Sequence, residues 1–109
     1  MYSNTNNRNN ITTKISVEEN RELLRLVKKN KITKSKVIRQ LIFNYIDNNS
    51  EIDFEVPENL ESYIQVTFSV DDVEFKVIND LVYENLPNTK SDIVRTLIRK
   101  ALNNLEVKQ

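Results

Sequence analysis

The sequence predicts a mainly α-helical fold made of two copies of a strand-helix-helix unit that share one core. Three observations carry this. The segment Thr33-Lys34-Ser35-Lys36-Val37-Ile38-Arg39-Gln40-Leu41-Ile42 returns as Thr89-Lys90-Ser91-Asp92-Ile93-Val94-Arg95-Thr96-Leu97-Ile98, identical at six of ten positions and offset by 56. A shorter amphipathic stretch with its own capping box precedes each copy. Before each cap the apolar period changes from helical to two.

In the first copy, Ile11, Thr13 and Ile15 alternate with Asn10, Thr12 and Lys14, the pattern of a strand with one buried face. Ser16-Val17-Glu18-Glu19 then opens a helix: the serine accepts from the amide three residues on and the glutamate reaches back. Leu23, Leu26 and Val27 supply its apolar face. Asn30-Lys31-Ile32 forms the turn into a second helix, whose buried face is Val37, Ile38, Leu41, Ile42, Tyr45 and Ile46. Asn48 and Asn49 are expected to end it, because asparagine is the best substitute for glycine where a helix closes on a left-handed residue.

The linker follows. Glu51, Asp53 and Glu55 alternate with Ile52, Phe54 and Val56 before Pro57, which reads as an extra strand with an acidic face. Such a strand would cap the core or pair with a ribbon edge; the other reading places its charge beside a binding face. The second copy repeats the plan. Ile64, Val66, Phe68 and Val70 alternate with Gln65, Thr67 and Ser69, and Asp71-Asp72-Val73-Glu74 forms the capping box. That role explains the acidic group better than a cation site, since carboxylates suit the positive end of a helix dipole. Phe75, Ile78, Leu81 and Val82 face inward; Asn85-Leu86-Pro87-Asn88 turns the chain; and a helix bearing Ile93, Val94, Leu97, Ile98, Ala101 and Leu102 is expected to close at Asn103-Asn104. The organisation is a polar, disordered tail over 1–9, a first unit over 10–49, an acidic linker over 50–61 and a second unit over 62–109, with 10–109 as one domain. Each unit is too small to bury a stable core alone, so the two must share one.

Composition removes most chemistry. In 109 residues there is no Cys, His or Gly, which excludes thiolate and imidazole catalysis and the glycine-dependent phosphate loops. No enzymatic activity, cofactor, metal site or small-molecule pocket is expected. No apolar run approaches the roughly 20 residues that span a bilayer, and the start lacks a signal peptide, so a cytoplasmic protein without membrane contact is expected. Net charge is zero but unevenly spread. Residues 1–49 hold ten Lys/Arg against four acids, a net +6; residues 50–62 hold five acids and no base; residues 63–109 stand at −1. A basic first half suits a nucleic-acid partner, although a solvated basic helix carries the same signature.

The doubled strand-helix-helix pattern resembles the ribbon-helix-helix superfamily of transcriptional regulators (the Arc, MetJ and CopG type) over nearly all of residues 10–49 and 62–105. That family is a dimer of two chains; this sequence looks like the dimer written as one. The resemblance implies a mainly α fold with a short two-stranded antiparallel ribbon, formed by an intramolecular pseudo-dimer. It implies a sequence-specific regulator of double-stranded DNA, most simply a repressor that occludes a promoter, with further self-association on DNA open. Asn10, Thr12, Lys14, Gln65, Thr67 and Ser69 would face the bases, and a two-stranded ribbon of donors and mixed donor/acceptors does fit the major groove. A solvent-facing polar strand would alternate in the same way. The resemblance also implies phosphate contacts at the start of each second helix, Thr33, Lys34, Ser35 and Thr89, Lys90, Ser91, where amides and dipole favour anions. Capping by the threonines explains part of that motif; the repeated lysine it leaves over. The sequence lacks the glycine common between the two helices of the family.

Two other functions fit the pattern. An antitoxin on this fold would carry a toxin-binding tail, and only Leu105 to Gln109 follow the last asparagine pair. A protein-interaction module that has lost DNA binding would account for the acidic linker. Tandem copies resemble regulators of archaeal viruses or plasmids, which would place the chain in a host cytoplasm, and the Asn, Ile and Lys excess suits an AT-rich genome. Because Lys14 has no charged counterpart among Gln65, Thr67 and Ser69, selection from random duplex DNA is expected to return an imperfect palindrome. A perfect palindrome would contradict unlike half-faces.

Overall fold

A computed structural model of the protein describes residues 9–54 and 62–107. The order is β1 (Asn9–Ile15), α1 (Val17–Asn30), α2 (Lys34–Asn48), β2 (Ile64–Val70), α3 (Asp72–Glu84) and α4 (Lys90–Val107). Four helices and one two-stranded antiparallel sheet make a mainly α fold. β1 starts at Asn9, one residue before the expected unit boundary; the rest of the expected N-terminal tail lies outside the described residues.

The alternation in both strands becomes a register. Ile11 stands opposite Phe68, Thr13 opposite Val66 and Ile15 opposite Ile64, all turned to the helices; every one is buried except Ile64, which is half-buried. Both capping boxes form. Ser16 Oγ accepts from the Glu19 amide at 3.0 Å while Glu19 Oε1 accepts from the Ser16 amide at 2.8 Å. Asp71 and Glu74 make the same exchange at 2.8 and 2.9 Å. Each box satisfies two amides that a helix start otherwise leaves without a partner.

The helices cross between the repeats. α2 of the first repeat lies against β2 of the second, α4 lies against β1, and α2 and α4 pack on each other, with α1 against α2 and α3 against α4. One cluster results, joining Ile11, Ile15, Leu23, Val37, Ile38 and Ile42 to Val66, Phe68, Val70, Ile78, Ile93, Val94, Leu97, Ile98 and Leu102. Polar contacts follow the same exchange. The Ser69 amide donates to Ser35 Oγ at 3.0 Å, and Arg39 Nε donates to Glu74 at 2.8 Å with Asp71 3.4 Å from its Nη2. The hydrogen bond to Glu74 raises the Arg39 pKa above its ordinary value; burial works against this, and the charges of Glu74 and Asp71 add to it.

Three expectations are corrected. α4 does not close at Asn103-Asn104 but runs to Val107, because neither asparagine takes the left-handed conformation that would end it. The asparagines do not supply a left-handed residue at the other ends either. Asn49 is extended (φ −135°), and the one residue at positive φ among those described is Lys31 (φ 56°, ψ 41°), whose amide donates to the Val27 carbonyl at 2.8 Å. The asparagines close helices through their side chains instead: Asn30, Asn48, Asn49 and Asn85 each donate from Nδ2 to the carbonyl four residues back, at 2.7–3.0 Å. Finally, residues 51–54 form no strand. Ile52 and Phe54 pack on the edge of the core and Asn88 Nδ2 donates to the Phe54 carbonyl at 3.4 Å, so apolar anchoring replaces sheet pairing. Glu55 and Val56 lie outside the described residues.

A β-carbon in the left-handed region costs about 1–2 kcal/mol, and Lys31 carries that cost so that Ile32 can turn back onto the core. Lys31→Gly is expected to raise the unfolding free energy by about 0.5–1 kcal/mol after the entropy of the extra glycine is counted. Urea denaturation checks it, and Asn49→Gly, at an extended position, should bring no gain.

Candidate functional site

With the inner face of the ribbon turned to the helices, the pleat sends the alternate residues to solvent. Asn10, Thr12, Lys14, Gln65 and Thr67 are exposed and Ser69 is half-buried, so the six expected side chains share one face. The register sorts them into three directly opposed pairs, Asn10 with Ser69, Thr12 with Thr67 and Lys14 with Gln65. Directly opposed residues of an antiparallel pair have Cβ atoms about 5 Å apart, and this is close enough for the side chains to bond. Ser69 Oγ donates to Asn10 Oδ1 at 2.7 Å, which leaves the Asn10 NH2 out of that bond. The Thr12 and Thr67 hydroxyls share a hydrogen bond of 2.9 Å at the middle of the ribbon. Lys14 Nζ sits 4.4 Å from the centre of the Tyr63 ring.

The second set, at the starts of α2 and α4, lies beside the ribbon through bonds that the sequence does not announce. Ser35 holds the β2 backbone through the Ser69 amide; Thr13 Oγ1 donates to the Ser91 carbonyl at 2.7 Å and lies 2.9 Å from Ser91 Oγ. Thr33 Oγ1 accepts from the Lys36 amide at 3.2 Å, and Thr89 Oγ1 accepts from the Asp92 amide at 3.2 Å, so both threonines are caps. Asp92 returns the bond from the Thr89 amide at 3.3 Å and puts a carboxylate in the first turn of α4; α2 has none there.

The two lysines of this set turn back on the preceding helices. Lys34 Nζ donates to Asn20 Oδ1, and burial lowers its pKa from the ordinary value. Lys90 Nζ stands 4.2 Å from the centre of the Phe75 ring. Lys14, Lys34 and Lys90 are thus each placed by an uncharged partner, unlike Arg39 with its two carboxylates. An amide oxygen or a ring face fixes a cation without cancelling its charge.

Chemically, this is a surface of hydrogen-bond donors and acceptors that carries three lysines without a carboxylate partner. Among the described residues no group of three or more acidic side chains is placed to hold a metal ion, and no helix is long and apolar enough to cross a membrane. Tyr63, Asn20 and Phe75 were not among the residues expected at the site. Tyr63 was within reach of the pattern: it continues the outward alternation 69, 67, 65 by one more step.

Thr13 is 1% exposed, and its hydroxyl bonds β1 to α4. Thr13→Val keeps the shape and removes the bonds to Ser91, whose carbonyl keeps its helical donor in α4, a loss of about 0.5–1.5 kcal/mol in urea denaturation. Adding Ser91→Ala should cost less than the two single changes summed, because the pair shares one network. No protein-family model matches the chain, and no curated protein or solved structure is significantly similar to it.

Proposed function

We propose that the chain is a sequence-specific double-stranded DNA-binding regulator of ribbon-helix-helix type, acting in the cytoplasm as a repressor, with its two repeats arranged as an intramolecular pseudo-dimer. One observation carries the reading: six side chains able to donate hydrogen bonds stand in three opposed pairs on the solvent face of a two-stranded antiparallel ribbon. A ribbon of this kind enters the major groove, where each base pair shows a distinct pattern of donors and acceptors. The α2 and α4 starts, bonded to the ribbon through Ser35 and Ser91, then lie where phosphates flank the groove, with first-turn amides free of helical acceptors. Lys34 and Lys90 can exchange Asn20 and Phe75 for a phosphate without breaking an ion pair. Occupation of a promoter by such a reader represses it.

A protein-interaction module is the second reading, favoured by Val73 (74% exposed) and Tyr83 (78% exposed) on α3. DNA selection and gel shift separate the two. Thr12→Ala/Lys14→Ala is expected to abolish sequence preference. Lys34→Ala/Lys90→Ala is expected to weaken binding to all sequences alike and to flatten the slope of log affinity against log salt by about 2, near 0.9 for each phosphate contact. If no sequence is enriched and neither pair matters, the interaction module takes the place of the DNA regulator.

A further inference from the structure

We infer that Tyr63 is a positioning residue that aims Lys14 at a guanine, so that one end of the ribbon, the Lys14–Gln65 end, reads a guanine-containing half-site and the other end does not. The inference rests on the DNA-binding reading above and goes beyond it in naming the end, the base and the residue that sets the geometry.

Tyr63 precedes β2 and shares the outward side of Gln65, which stands directly opposite Lys14. It is therefore the diagonal neighbour of Lys14, a spacing that long and aromatic side chains bridge. The ring is 48% exposed, and the Lys14 ammonium lies 4.4 Å from its centre. A lysine alone on an exposed strand would spread over many rotamers. The ring restricts it by attraction to the π face, and it does so without supplying a counter-charge, so the ammonium keeps its charge and its donors. A carboxylate in the same place would have spent both.

A group that only donates selects the base edge that only accepts. In the major groove, guanine presents N7 and O6, two acceptors side by side, whereas adenine sets an amino donor beside its N7. The opposite end of the ribbon has different chemistry. With Thr12 facing Thr67 at the middle, Ser69 takes the place of Lys14 and Asn10 that of Gln65. Ser69 and Asn10 bond to each other, carry no charge, and mix donors with acceptors. The two ends therefore read different bases, and the fixed lysine marks one of them.

The test is selection from random duplex DNA with wild type, Lys14→Met, Tyr63→Leu and Tyr63→Phe. Affinities are then measured on the enriched duplex and on versions with guanine replaced by adenine in either half. Wild type is expected to enrich guanine in one half, and Lys14→Met to lose it in that half alone. Tyr63→Phe keeps the ring and the preference. Tyr63→Leu lowers affinity for the guanine duplex about two- to fivefold, while affinity for the adenine duplex and the salt slope stay as in wild type. A merely structural tyrosine would lower both duplexes equally. That result, or an unchanged guanine-to-adenine ratio in Tyr63→Leu, overturns the inference and leaves the DNA reading standing. A wild type that enriches no sequence at all overturns the DNA reading, and the inference with it.

Discussion

The antiparallel pairing of β1 with β2 is the constraint on which the rest of the structure depends. Two strands, separated in sequence by two helices and the linker, must meet in one register for either inner face to be covered. A slip of β1 by one residue would turn Ile11 and Ile15 to water and Asn10 and Lys14 into the core. Loop closure over such a distance costs entropy, but the cost grows slowly with length, and burial of one joint cluster offsets it. The exchange of helices secures the register: α2 rests on β2 and α4 on β1, so neither repeat can fold its hydrophobic face away without the other.

The elements with a local physical signal were legible in the sequence. Alternation gave both strands to within a residue or two, the capping boxes placed the starts of α1 and α3, and the repeated ten-residue motif placed α2 and α4. The six outward residues follow from the same alternation. What was not legible depended on tertiary context. Asn103 and Asn104 look like a stop signal, yet both keep negative φ and α4 runs past them to Val107. The acidic alternation of residues 51–54 resembles a strand, but no sheet edge takes it up, and Ile52 and Phe54 anchor it instead. The partners of Lys34 and Lys90 lie one helix upstream, a contact no local spacing encodes.

Charge in this molecule is handled in two ways. Where it serves cohesion it is neutralised: Arg39 of the first repeat meets Glu74 and Asp71 of the second, tying α2 to the start of α3. At the candidate site it is only held. Lys14, Lys34 and Lys90 rest on a tyrosine ring, an asparagine amide and a phenylalanine ring. In a chain of zero net charge, the cations beside the ribbon are thus ordered without being cancelled, so the identity of each partner says more about this surface than a count of basic residues.

The two strands of the ribbon are encoded by separate stretches of one chain. In an assembly of two identical chains, every substitution appears twice, and a change that improves one end of a ribbon is imposed on the other. Here a single codon alters Lys14 and leaves Ser69 as it was. The ends of the face can therefore drift independently, in steps of one residue, on either side of the threonine pair at the centre. Placing both strands in one chain thus lets the chemistry of the outer face change at one end without a matching change in the pairing that holds the fold.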